Sequence, residues 1–136
     1  MSAVGGDVTE IKWSHPTLGS GVLYPKAGET SSFDPGGFRS NDDAQGVDGS
    51  GAMIKQLTRA RWSLDVVIAW DNNIRQELET LNNISGQAVD ATFTISHVSG
   101  AVYKGLGTVV GDVKGDGLAA TIPIKFAGGQ KLDKII

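Results

Sequence analysis

Residues 59–70 read RARWSLDVVIAW. Ala60, Trp62, Leu64, Val66, Ile68 and Trp70 share one parity. Arg59, Arg61, Ser63, Asp65, Val67 and Ala69 share the other. This alternation predicts a strand over Arg59–Trp70 with one buried face, because successive side chains of a strand point to opposite sides. A second alternating run lies near the C-terminus, with Leu118, Ala120, Ile122, Ile124 and Phe126 on one face of a strand over Leu118–Ala127. Pro123 interrupts its other face. Having no N–H for a ladder, it predicts an edge strand or an unpaired flank at that point.

Shorter signals extend the sheet outward from these two. Val8–Ser14 places Ile11 and Trp13 together, and Gly21–Tyr24 is a brief candidate. Ala88–Val98 carries Val89, Ala91, Phe93 and Ile95 in phase. Ser99-Gly100 then breaks the run and Ala101–Lys104 resumes it, which reads as a hairpin. Thr108–Lys114 follows, and Gly115-Asp116-Gly117 turns the chain into the last strand. One helix is expected after Trp70. Asp71 or Asn72 suits its cap, Ile74, Leu78 and Leu81 form its apolar stripe, Arg75, Gln76, Glu77 and Glu79 point elsewhere, and Asn82, Asn83 and Gly86 suit its end. Such a helix is too short to stand alone and must lie across a sheet or plug the end of a barrel.

Composition agrees with a mainly β, antiparallel chain. Glycine supplies 19 of 136 residues, about twice the usual share of roughly 7%, which turn-rich β proteins accept and helical bundles do not. The length suits a single domain over 1–136. With no cysteine there is no disulfide, Cys-bound zinc or thiol nucleophile. A net charge of −3 argues against tight nucleic-acid binding, which needs a surplus of Lys and Arg. The N-terminus lacks a basic patch followed by an apolar run, and no stretch approaches 18 apolar residues. Neither a secretory signal nor a membrane span is expected, and the Asn83-Ile84-Ser85 sequon is read as chance.

Two segments do not fit a self-contained domain. Residues 27–51, AGETSSFDPGGFRSNDDAQGVDGSG, are poor in apolar side chains, and a structureless loop of that length is unusual in a compact domain. It is expected to be disordered or ordered from outside. The first six residues and the tail 128–136 are expected to be loose in a free monomer, although the tail leaves Leu132, Ile135 and Ile136 to be covered.

Residue patterns of known reaction chemistry are scarce. The sequence contains no P-loop, no HExxH and no GxSxG elbow. His15 and His97 lie far apart in sequence at the ends of strands and read as surface or interface histidines. Asp42, Asp43 and Asp48, with Asn41 and Ser50, do not follow EF-hand spacing and read as a solvated acidic loop. Arg59 and Arg61, with Lys26 and Lys55, suggest a charged solvent face or a subunit interface. The expectation is no catalysis, no metal and no cofactor, in a domain that completes itself by assembly.

Several stretches resemble the tail tube proteins of bacteriophages, which are related in fold to the tube protein of type VI secretion. They are Gly21–Glu29 (GVLYPKAGE), Gly36–Asp43 (GGFRSNDD), the single helix after the long strand, Gly111–Gly117 (GDVKGDG) and Phe126–Gly129 (FAGG). The resemblance implies an antiparallel β-sandwich or barrel with one α-helix and a long extended loop. It implies hexameric rings stacked into a tube whose lumen carries DNA, without specific binding, and the tape measure protein. It further implies baseplate and tail terminator partners, a sheath protein if the tail is contractile, and residence in the virion tail after assembly in the host cytoplasm. Residues 27–51 and the chain ends become the contacts between rings. Phe33, Phe38, Arg39, Asn41, Asp42, Asp43, Asp48, Arg59, Arg61, Leu132 and Ile135 are the interface candidates. Two polar faces compete for the lumen: Arg59, Arg61, Ser63 and Asp65, or Thr92, Thr94 and Ser96. The alternatives are a secretion-type or tube-end protein of the same fold, and a monomeric ligand-binding β-barrel.

Overall fold

The computed structural model describes residues 4–40, 46–71, 73 and 76–136. Their elements run β1 (Val8–His15), β2 (Gly19–Leu23), β3 (Ser32–Asp34), β4 (Gly37–Ser40), β5 (Gly46–Val47), β6 (Met53–Ile54), β7 (Leu57–Ala60), β8 (Trp62–Ala69), α1 (Glu77–Ser85), β9 (Ala91–His97), β10 (Val102–Val110), β11 (Thr121–Gly128) and β12 (Asp133–Lys134). The protein is mainly β. Eight strands form one antiparallel sheet in the order β2-β1-β9-β10-β11-β8-β3, with β12 added on β10. The pairs β4–β7 and β5–β6 form two separate ribbons.

The sheet does not close into a barrel, a correction to the closed form that the resemblance allowed. Its outer strands β2 and β3 do not pair with each other. The chain leaving β2 reaches β8 through one isolated bridge, Pro25 to Ile68, and the three residues of β3 pair farther along β8. The sheet instead curls around a single core. β10 hands over from β9, paired at Val102–Gly107, to β11, paired at Thr108–Val110. The Phe93 and Phe126 rings then meet at 4.9 Å, and Trp62 lies edge-on to Phe93 at 6.3 Å.

The deciding alternation holds where it matters. Trp62, Leu64, Val66 and Ile68 are all buried. The run is nevertheless two strands, not one. It breaks at Arg61, where the backbone of Ala60 and Trp62 is approached so closely by Gly36 that a Cβ there would stand 2.6 Å from the Trp62 nitrogen. Gly36 has φ of +72°, a conformation open to glycine.

The last strand starts later than its pattern predicts. Leu118–Ala120 form a turn in which the Asp116 carboxylate accepts the Leu118 and Ala119 N–H groups, and Leu118 is 99% exposed. Ile122, Ile124 and Phe126 keep their buried phase. Pro123 lies inside the sheet, but the ladder to β10 covers only Lys125–Ala127, so that flank has no partner strand at the proline.

The expected strands Ala101–Lys104 and Thr108–Lys114 are one strand, β10, which spans Val102–Val110 and leaves 111–114 outside it. Gly105 and Gly107 interrupt its hydrophobic pattern for a packing reason: a Cβ at Gly105 would collide with Leu132 at 2.6 Å and crowd the Trp62 indole, and one at Gly107 would collide with the Ala127 carbonyl and with the indole at 2.8 Å. Val89, expected in phase with Ala91 and Phe93, is exposed ahead of β9.

The helix is shorter and turned from its expected stripe. It starts after Gln76, which holds a left-handed φ of 52° with no side-chain cap. Asp71 instead accepts the Gln76 N–H through its carbonyl and the Asn73 N–H through its carboxylate. The buried positions are Glu77, Leu81 and Ile84, with Leu78 packed at the margin. Glu77, expected to face water, accepts the Asp71 N–H at 3.0 Å. Asn72, Ile74 and Arg75 lie outside the described residues. Thr108 of β10 donates to the Ile84 carbonyl and ties the helix to the sheet.

His15 is buried at the end of β1. Its Nδ1 accepts the N–H groups of Thr17 (3.0 Å) and Leu18 (3.2 Å). The proton therefore resides on Nε2, which donates to the Val89 carbonyl at 3.0 Å. One ring closes the β1–β2 turn and pins it to the segment before β9. His15→Ala strands three backbone groups, and a loss of about 1–3 kcal/mol is expected in urea unfolding. An unchanged midpoint would mean that water replaces the ring without loss.

Candidate assembly surface

Residues 27–51, read from sequence as a structureless loop, contain β3, β4 and β5, which pairing partners outside the segment organise. Gly37–Ser40 pairs with Leu57–Ala60 in register Gly37↔Ala60 to Ser40↔Leu57. Nested within it, Gly46 faces Ile54 and Val47 faces Met53. Together they make an arm from Gly37 to Ala60, inserted between β3 and β8. The overlooked signal was Asp48-Gly-Ser-Gly51 between Val47 and Met53, a turn flanked by apolar residues. There the Asp48 carboxylate accepts from Ser50 N, Ser50 Oγ and Ala52 N. These bonds, the Ser50 hydroxyl first, hold its pKa below the usual aspartate value. Asp48 thus closes a turn. Asn41, Asp42 and Asp43, the rest of the acidic run, lie outside the described residues.

Every described residue from Phe38 to Arg59 is exposed. Phe38, Val47, Met53, Ile54 and Leu57 are among the large apolar side chains left in solvent, at 63, 69, 64, 46 and 55%. Val47 opposes Met53, and Phe38 opposes Arg59, whose guanidinium sits 4.6 Å from the Phe38 ring centre. An isolated two-stranded ribbon is marginal in water. Covering such a side chain contributes roughly 1.5–3 kcal/mol, so this arm gains most by meeting another surface.

The root of the arm is built tightly. Phe33 is half-buried and its ring lies 5.3 Å from that of Tyr103. Asp34 accepts the Gly36 N–H and both terminal nitrogens of Arg39. The Arg39 hydrogen bond, then the Gly36 N–H, hold the Asp34 carboxyl below its ordinary value of 3.8. A carboxylate with a lowered folded pKa supports the structure above its unfolded pKa and releases it as pH falls through the folded one. The clamp is expected to survive mild acid. A carbon-detected NMR titration should place the Asp34 midpoint below 3.8, and a midpoint at or above that value would mean that Arg39 does not hold it.

The remaining candidates separate. Arg59 belongs to the arm, Arg61 stands between β7 and β8, and Asp65 pairs with Ser32, so no continuous basic stripe forms. Leu132, expected as an interface residue in a loose tail, is 3% exposed and part of the core. The tail is held by β12 on β10, whereas Ile135 is 52% exposed. At the N-terminal end, expected loose, Gly6 accepts from His97 Nε2 at 3.0 Å. His97 Nδ1 meets Ser99 Oγ at 2.8 Å and also accepts the Ser99 N–H. With a carbonyl rather than a carboxylate behind the ring, this is a turn clamp.

The polar face with Thr92, Thr94 and Ser96 carries an open groove of about 490 Å³ bordered by Lys12, Ser14 and Lys104. Thr94 stands between Lys12 and Lys104 in one cross-strand row. Among the described residues no three or more His, Asp or Glu side chains gather as a metal site, and no helix is long and apolar enough to cross a membrane. No protein-family model and no curated protein matches the chain.

Proposed function

We propose that the chain is a self-assembling structural subunit of the bacteriophage tail tube type. Rings of subunits stack into a hollow tube that conducts DNA, with the tape measure protein inside during assembly. Baseplate and terminator proteins cap the tube, and a sheath surrounds it if the tail contracts. On this reading the protein is not an enzyme, and its place is the virion tail.

One observation carries the proposal: an arm whose described residues from Phe38 to Arg59 are all exposed, five of them large apolar side chains, on a core that is otherwise folded. An open sheet adds to it, because the outer strands β2 and β3 offer backbone groups that a neighbour can pair. Contacts between unlike surfaces close into rings when the rotation permits, and a second such contact stacks the rings. The net charge of −3 per chain, repeated along a tube, suits a lumen through which DNA slides without sticking.

Negative-stain electron microscopy of the purified protein across a concentration series tests this. Rings or hollow tubes are expected at high concentration. Monomers at every concentration, including with preformed tube ends added, would overturn it.

A further inference from the structure

We infer that residues 129–136 are a strap that fixes the root of the arm, and that its release lets the arm swing about Gly36 and Gly37. The inference concerns the chain's own arm and holds whatever surface that arm meets.

The tail crosses the arm root on its way to β10. The Leu132 N–H donates to the Pro35 carbonyl at 2.8 Å. The stem of Lys131 packs beside Gly37, with its Cδ 3.4 Å from where a Cβ would stand. Leu132 then enters the core next to the Trp62 indole, above Gly105. The root is thus held between the backbone of Trp62 on one side and the tail on the other. Gly36 and Gly37 have φ of +72° and +94°, in the range that glycine alone enters freely, and so form a natural pivot.

The strap itself is slight. Past Leu132 it is fastened by two register pairs, Tyr103↔Lys134 and Lys104↔Asp133. Two backbone bonds add to these, Ile135 N to Val102 O at 2.9 Å and Val102 N to Ile136 O at 3.2 Å. Beside the eight-residue ladder between β8 and β11 this fastening is short. Opening of the strap needs the loss of the Leu132 anchor and this short ladder, and the pair that still spans the pivot, Asp34 with Arg39, is solvent-exposed and holds little in water.

Hydrogen exchange and limited trypsin digestion test the strap on the full chain and on a chain ending at Gly129. A ribbon released from its root is marginal in water, so without the strap the protected amides of β4 and β7, which pair only with each other, should exchange about tenfold faster, and cleavage after Arg59 and Arg61 should accelerate similarly, while β9 amides stay protected. Unchanged exchange in β4 and β7 overturns the inference. If the shortened chain loses β9 protection too, Leu132→Ala in the full chain decides. Faster exchange confined to β4 and β7 supports the strap. Equal acceleration in β4, β7 and β9 overturns it, since Leu132 would then be an ordinary core side chain.

Discussion

Trp62→Ala is expected to lower the unfolding free energy by roughly 3–5 kcal/mol, the range for removing a large buried aromatic. Trp62 is fully buried and its Nε1 donates to the Leu106 carbonyl at 3.1 Å. The indole fills a slot formed by Gly105, Gly107 and Gly128 on two neighbouring strands, β10 and β11. These glycines have no side chains to collapse into the vacated space, so the cavity persists. The lost hydrogen bond also leaves the Leu106 carbonyl without this donor. Guanidinium unfolding followed by circular dichroism gives the answer. A loss below about 0.5 kcal/mol, the range of surface substitutions, would mean that the slot closes without Trp62 and that the glycines are not holding it open.

Excising Phe38–Arg59 and joining Gly37 to Ala60 through an Asn-Gly turn is expected to abolish ring stacking while leaving the core folded. Gly37 and Ala60 are register partners, so a two-residue turn spans the gap. All the described residues removed are exposed, and the core cluster contains none of them. The shortened chain should therefore unfold within about 1 kcal/mol of the full one, yet form no tubes in the electron microscope at concentrations where the full chain does. Tubes that grow normally without the arm would remove it from the stacking contact. A core that unfolds with the arm would show that the ribbon is integral to the domain.

The sequence revealed the elements whose alternation faces one core: β8, β9 and β11 are close to their expected spans, with the buried phase of Trp62 to Ile68 as read. It concealed features that depend on distant partners. β10 reads as two pieces because Gly105 and Gly107 lie under Trp62, Leu132 and the Ala127 backbone, all remote in sequence. Leu132 looked like a bare tail residue because its cover comes from β10 and the arm root. The arm looked like a loop because its two halves pair with each other and not with the core, so neither half carries a hydrophobic rhythm. Glu77 is not legible because it is buried by a backbone partner, the Asp71 N–H, and shares the inner face with Leu81 and Ile84, which a count of apolar residues does not show. Of the interface candidates, Phe38, Arg39, Asp48 and Arg59 fall together on the arm, while Phe33 and Leu132 secure its base.

The sheet order has a consequence in time as well as space. β1 must find β9, with Val8 against His97, before that half of the core is sealed, and such distant pairings form slowly. The arm pairs residues close in sequence and can form early, within microseconds. Before its core is closed, each new chain leaves the apolar side chains of the arm uncovered. A cell making many copies at once holds them at their most adhesive while they are least folded. If the chain assembles as proposed, ordered growth depends on the core maturing faster than two unfinished chains meet, so that the rate of synthesis, and not affinity alone, sets how much of the protein ends in ordered assemblies.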